Sequence, residues 1–256
     1  MRLPLTVAAI ALAAMMPPAA AAALSDSGDP LASARWGDMH RAVLGGAPAV
    51  FDPRVRVLAP DDAENPLQVP ITVDATGLEG VQEVVVFADF NPIVQVLRFF
   101  PSAGNQAYLG FRLKLQQSSP VRAAARTADG LWHVGGVWIH TVGGGCTAPA
   151  AGAASPQWQQ SLNQVSARQW RDGPLAGRLR LRIVHPMDTG LVAGTPAFHL
   201  QEIRLADAAG APLLRIELFE PVSENPVFTV HRIPVGRVQA SGRDNNGNTF
   251  SAWIEP

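Results

Sequence analysis

Tyr108-Leu109-Gly110-Phe111-Arg112-Leu113-Lys114-Leu115-Gln116 is the stretch on which the fold turns. Phe111, Leu113 and Leu115 alternate with Arg112, Lys114 and Gln116, the period of a strand with one buried and one solvated face. Runs of the same kind surround it at Val55–Leu58, Gln68–Ala75, Val81–Asp89, Ile93–Phe100, Val121–Thr127 and Leu131–Thr141. Short strands separated by turn residues predict an antiparallel sandwich. Trp132, Val134, Val137 and Ile139 fall out of phase across Gly135-Gly136, which predicts a bulge or bend there. Ahead of these strands, Leu31, Met39 and Val43 share one face of a helix expected over Asp29–Leu44, started by Asp29-Pro30 and stopped by Gly45-Gly46.

Beyond Thr141 the pattern dissolves into Gly143-Gly144-Gly145-Cys146-Thr147-Ala148-Pro149 and then alanine, serine, glutamine and isolated tryptophans. Residues 143–177 read as an arm and linker. Strand character returns at Arg178–Val184, Phe198–Asp207, Pro212–Phe219, Val227–Ile233, Gly236–Gly242 and Thr249–Ile254. Asn246-Gly247 between two apolar runs is the strongest hairpin signal. The expected fold is therefore all-β: two antiparallel β-sandwiches, residues 24–142 and 178–256, joined by a Gly/Ala/Pro-rich linker, with one short N-terminal helix.

The chain has 256 residues, 47% hydrophobic and 16% charged, with a formal net charge of -1. That is a globular composition, and the near-zero charge argues against a nucleic-acid binder. Residues 1–23 open with Arg2, run apolar from Leu3 to Met16 and end in alanines, the pattern of a cleavable secretory signal peptide, and Pro17-Pro18 cuts the run short of a membrane span. A periplasmic protein with no span in its mature form is the expectation. Lys114 is the sole lysine and Cys146 the sole cysteine, so no intrachain disulfide can form.

No enzyme constellation emerges. His40, His133, His140, His185, His199 and His231 are scattered, and nucleophile-elbow, phosphate-loop and dinucleotide motifs are absent. Asp61-Asp62 reads as a solvated turn pair. A copper site using His185, Met187 and Cys146 is a weighed alternative, opposed by the long separation of the cysteine from the other two. Cys146 follows three glycines, so it is expected on a pliant arm displayed to solvent, with Gly143, Gly144 and Gly145 as the tether.

Here a resemblance enters. Val57-Leu58-Ala59-Pro60-Asp61-Asp62-Ala63-Glu64-Asn65-Pro66, Val69-Pro70-Ile71, Phe87-Ala88-Asp89-Phe90-Asn91-Pro92 and Gly143-Gly144-Gly145-Cys146 resemble SoxY, the thiol-bearing half of the periplasmic sulfur-oxidation carrier. Val184-His185-Pro186-Met187-Asp188-Thr189-Gly190, Pro196-Ala197-Phe198, Ser223-Glu224-Asn225-Pro226 and Asp244-Asn245-Asn246-Gly247 resemble its companion SoxZ. The resemblance implies immunoglobulin-like sandwiches, and Cys146 as the residue that covalently holds a sulfur intermediate. It also implies partners that load or process that intermediate, Sox-type enzymes or a quinoprotein dehydrogenase, the latter through SoxYZ-like carriers associated with PQQ-dependent dehydrogenases. In SoxY the thiol ends the chain, whereas here 110 residues follow it. The expected function is a carrier without turnover of its own, needing no cofactor and no metal. An accessory or binding protein of a PQQ-dependent dehydrogenase and a copper-binding protein are the alternatives.

Overall fold

The computed structural model describes residues 28–102, 106–150, 158–173 and 176–256, so the signal-peptide reading lies outside the described residues. The chain opens with α1 (Trp36–Leu44) and the strands β1 (Ala49–Phe51), β2 (Arg56–Leu58), β3 (Asp62–Ala63), β4 (Val69–Asp74), β5 (Val81–Ala88), β6 (Gln95–Pro101), β7 (Tyr108–Leu113), β8 (Ser119–Thr127) and β9 (Trp132–Thr141). There follow α2 (Trp158–Ser161), β10 (Val165–Arg171), β11 (Ala176–Ile183), β12 (Leu200–Asp207), β13 (Pro212–Leu218), β14 (Val227–Pro234), β15 (Val238–Asp244) and β16 (Thr249–Ile254). It is an all-β architecture of two sheets with two short helices among the described residues.

The two halves are not beads on a string. A ten-stranded sheet runs β1-β9-β8-β5-β6-β13-β12-β15-β16, with β3 on the side of β9, and a six-stranded sheet runs β10-β11-β14-β7-β4-β2. Both sheets cross from one half to the other. In the large sheet β6 pairs antiparallel with β13, Leu97 opposite Leu218 and Phe99 opposite Ile216; in the small sheet β7 meets β14, with Gly110 opposite Thr229. Edge strands that would template aggregation are thereby consumed in an internal seam. One apolar core fills the space between the sheets through both halves, from Val69, Ile71, Phe99 and Phe111 to Leu181, Leu200, Ile216 and Phe228.

β5 is buried on both faces because α1 covers the outside of the large sheet, packing Met39, Val43 and Leu44 against Val85, Phe87, Ala124 and Trp132. The helix is shorter than the periodicity suggests. Asp29 accepts the backbone N–H groups of Leu31 and Ser33, and Ala32 takes a left-handed φ of 49°, so residues 29–35 form turns. The reason is tertiary: Asp29 also accepts both terminal nitrogens of Arg122, at 2.8 and 2.7 Å, while Arg122 Nε reaches the buried Asp89 at 3.1 Å. The guanidinium lies 4.8 Å from the centroid of the Trp36 ring. Burial alone would push the Asp29 carboxyl up. Hydrogen bonds from Arg122, Ser33 and Leu31 outweigh it and hold the group below the usual carboxylate range.

The bulge expected at Gly135-Gly136 is absent. β8 and β9 keep one register through Ala123 opposite Gly135 and Arg122 opposite Gly136. The glycines serve close approach instead, for a Cβ on Gly135 would stand 1.8 Å from the Val55 carbonyl oxygen. Gly135→Ala is expected to cost about 1–3 kcal/mol through overpacking, measurable as a lower urea midpoint with unchanged m-value. Asn246-Gly247 does turn the β15–β16 hairpin: Gly247 has φ 86°, and the Asp244 carboxylate accepts the N–H groups of Asn246 and Asn248. The stretch 143–177, expected as arm and linker throughout, contains β10, paired along its length with β11. Of its tryptophans, Trp158 packs on Phe198 with ring centroids 6.1 Å apart, and Trp170 lies between two guanidiniums, so both dock on the C-terminal half.

Candidate functional site at the seam

β7 ends at Leu113, and the next residues turn out of the sheet against the C-terminal half. Lys114 N donates to Pro221 O at 2.7 Å and Leu115 N to Pro66 O at 2.8 Å. The expected alternation therefore fails at Lys114. Its side chain is buried rather than solvated, with Nζ donating to the Met187 carbonyl. Asn91, itself buried, fixes this corner by donating to Lys114 O at 2.9 Å and accepting from Gln116 N at 2.9 Å.

Cys146 is brought to the same corner, and this corrects the expectation of a displayed thiol. Gly143 and Gly144 each take φ 86°, the left-handed region that glycine enters at no steric cost, and fold the chain back after β9. Gly144 N donates to Gln116 O and Gly145 N to Leu115 O, and Cys146 N donates to the Gln116 side-chain oxygen at 3.2 Å. Gly145 fits because it lacks a side chain: a Cβ there would lie 2.2 Å from Pro66 O and 2.7 Å from Leu115 O. The glycines act here as a close-packed latch. Cys146 has 0% relative exposure, and its thiol points to Lys114 O at 3.7 Å.

The C-terminal half closes the site. Thr189 Oγ1 donates to Cys146 O at 2.6 Å, and the Ala150 backbone N–H reaches the Asp188 carboxylate. Met187 holds a left-handed φ of 52°, uncommon for a bulky residue, and is kept there by its N–H donating to His185 Nδ1 at 3.1 Å and by its sulfur accepting from Leu200 N at 3.3 Å. Asn225 ties His185 through two backbone-centred bonds, while Ser223 links across the seam to Leu67 O at 2.7 Å. Behind them His185 Nε2 stands 3.6 Å from Asp244 Oδ2 and makes no hydrogen bond among the described residues.

Burial dominates the electrostatics. It pushes the Cys146 thiol up to about 11, against the opposing pull of the Lys114 charge. It brings Lys114 down to about 8, opposed first by Cys146 and then by Asp188, Glu224 and Glu220. It brings His185 down to about 4 against the carboxylate of Asp244, and it raises Asp188. At neutral pH the site holds a protonated thiol, a largely charged ammonium and a neutral imidazole. No trio of His, Cys, Asp or Glu side chains stands in metal-binding geometry among the described residues, and His185 Nδ1 is occupied by the Met187 N–H.

Sequence reasoning selected Cys146 and its glycines but not Lys114, Thr189 or Asn91. A signal was present: the stretches quoted above for their family resemblance, scattered from Asn65-Pro66 to Asp244, converge on this corner once folded. The comparisons bear on the same residues. Residues 40–146 match the family of the sulfur oxidation protein SoxY, and residues 172–255 match that of the sulphur oxidation protein SoxZ. No curated protein matches the chain. Among solved structures, the sulfur carrier protein SoxY from Chlorobium limicola f thiosulfatophilum is similar with 20% identity over 42% of this chain and 96% of that one, at a TM-score of 0.35. A marsupial T cell receptor is similar with 10% identity over 80% of this chain and 63% of the other, at a TM-score of 0.26. With the SoxY match ending on Cys146 and the SoxZ match running from residue 172 to 255, the chain belongs to the sulfur-oxidation carrier families as a SoxY domain followed by a SoxZ domain.

Proposed function

We propose that this protein is a periplasmic sulfur carrier that holds a small sulfur-containing intermediate on Cys146 and presents it to partner enzymes. The observation that supports it most is the pairing, at the seam of the two domains, of the only cysteine with the only lysine. Loading is an exchange without an external oxidant. The Cys146 thiol gives up its proton, the thiolate attacks a sulfur of a donor R–S–S–R′, the new S–S bond forms as the donor's breaks, and R′S⁻ leaves and takes the proton. Lys114 is the countercharge for the thiolate and for an anionic adduct.

The docked arm is the storage position in this reading. Transfer requires residues 143–147 to leave Leu115, Gln116 and Thr189, which costs several hydrogen bonds of about 1 kcal/mol each, an energy that binding to a partner can offset. A loop tethered at both ends enters an open cleft rather than a narrow channel.

Incubating the full chain with sodium tetrasulfide and weighing it intact tests the proposal. Whole-sulfur additions removable by dithiothreitol are expected on the wild type and absent from Cys146→Ser. Equal additions to both proteins, or none to a Gly145→Ala chain whose thiol is open to alkylation, would refute covalent carriage at Cys146.

A further inference from the structure

The outer face of the six-stranded sheet carries a charge distribution that the thiol site does not explain. In the β10–β11 register Arg168 lies directly opposite Arg180, Ser166 opposite Arg182 and Trp170 opposite Arg178, all on the face away from the core. Arg112 continues the same face on β7, two residues from Gly110, whose partner Thr229 is in turn opposite Arg180. These five arginines make no ion pair among the described residues, although most arginines elsewhere on the chain do. Of the carboxylates by this face, Asp74 is taken up by Arg56, and Asp172, exposed just after β10, acts on His231 beside Arg178 but forms no ion pair with an arginine among the described residues.

Like charges directly opposite one another across a strand pair are destabilising. Keeping them uncompensated in a chain of net charge -1 indicates a partner that supplies the missing negative charge. The details favour a protein over a lipid or polysaccharide surface. The cations are all arginines, whose planar fork takes carboxylates bidentately. They are interleaved with Trp170, stacked between Arg168 at 5.3 Å and Arg178 at 4.9 Å, and with the Tyr108–His231 ring pair at 4.0 Å. Arginine and aromatic side chains on a flat face are the composition of protein interfaces. Of the large exposed apolar side chains among the described residues, Leu58 alone is on this face, on the far edge strand β2 opposite Thr72, while Val142, Leu191 and Trp253, which could enter acyl chains, lie off it. A shallow depression of about 300 Å³ between Arg168, Arg180, Arg182 and Val227 gives it relief.

We infer that this arginine face docks an acidic, Asp/Glu-rich surface of a partner protein. Because Arg112 stands two residues before Lys114, a partner seated there lies beside the corner that holds Cys146. The inference is independent of what the thiol carries.

Poly-L-glutamate serves as the probe of an acidic protein surface, with phosphatidylglycerol vesicles and heparin as the competing anions and the full chain as the receptor. Wild-type protein is expected to bind polyglutamate at low salt and to lose it steeply as sodium chloride is raised. Arg168→Glu/Arg180→Glu should weaken binding at least tenfold, and Arg243→Glu on the other sheet should leave it unchanged. The double variant should keep about the wild-type melting temperature, since both positions are solvent-exposed and one like-charge pair replaces another, so a binding loss is not a folding loss. Equal effects of the two variants, no loss in the double variant, or binding of vesicles or heparin in preference to polyglutamate would overturn the inference.

Discussion

Arg122→Met should lower the unfolding free energy by about 3–5 kcal/mol, the range for removing one partner of a buried charge network. The substitution leaves the carboxylates of Asp29 and Asp89, whose side chains are 7% and 0% exposed, without their shared cation. It also unpins residues 29–35, which hold to the sheet through Asp29 and through Trp138 Nε1 donating to Leu31 O at 2.7 Å. Urea unfolding measures the loss, and limited proteolysis should cut first in the 29–35 segment. Arg122→Lys is expected to recover little of it, because one ammonium cannot serve both carboxylates in the planar geometry of the guanidinium. With the Asp29 pKa held below its ordinary 3.8, this stabilisation is present above that value and is lost as pH falls through the lower folded value. A loss under about 1 kcal/mol in Arg122→Met, the level of an exposed pair, would show that the cluster is not a dry one.

The second large effect concerns the thiol. With its pKa near 11 rather than the ordinary 9.0, Cys146 is ionised about a hundredfold less at pH ~8 than an unhindered thiol. Iodoacetamide should label the intact protein slower by at least that factor. Gly145→Ala, whose new Cβ collides with Pro66 O and Leu115 O, should expel the latch and raise the labelling rate more than tenfold. Rapid labelling of the wild type at neutral pH would contradict the docked arm. The same burial has an alkaline signature. The raised Cys146 pKa gives stability that is lost as pH climbs from about 9 toward 11, whereas the lowered Lys114 pKa imposes a cost that is relieved as pH climbs from about 8 toward 10.5. Over about pH 9–10.5 the two oppose each other, so Cys146→Ser should become more stable with rising pH there while the wild type stays nearly flat.

Most strands were legible because their alternation is strong: Tyr108–Leu113, Val81–Ala88 and Thr249–Ile254 stand where the pattern put them. β10 was not. Its sequence, Val-Ser-Ala-Arg-Gln-Trp-Arg, is an edge strand with a thinly covered inner face, so no apolar period marks it. Lys114 was misread because alternation continues through Leu115 and Gln116 after the strand has ended, and the side that looks solvated is covered by the turn at Met187 from the other domain. The glycines before Cys146 illustrate a general ambiguity. Glycine confers freedom on an unpacked chain, but it is equally the residue required where two backbones nearly touch, and only the fold distinguishes the cases. The domains' mutual pairing was invisible for a related reason, since an edge strand that will be paired reads like any other half-buried strand.

The continuity of both sheets through the β6–β13 and β7–β14 pairings bears on what dilution can do to this molecule. For two separate polypeptides, the junction that surrounds the cysteine would be governed by mass action and would come apart as the protein became scarce. Joined on one polypeptide, the two domains see each other at a fixed local concentration, whatever the abundance of the protein. The compartment around Cys146 is thus assembled once, on folding, and stays assembled in a single copy.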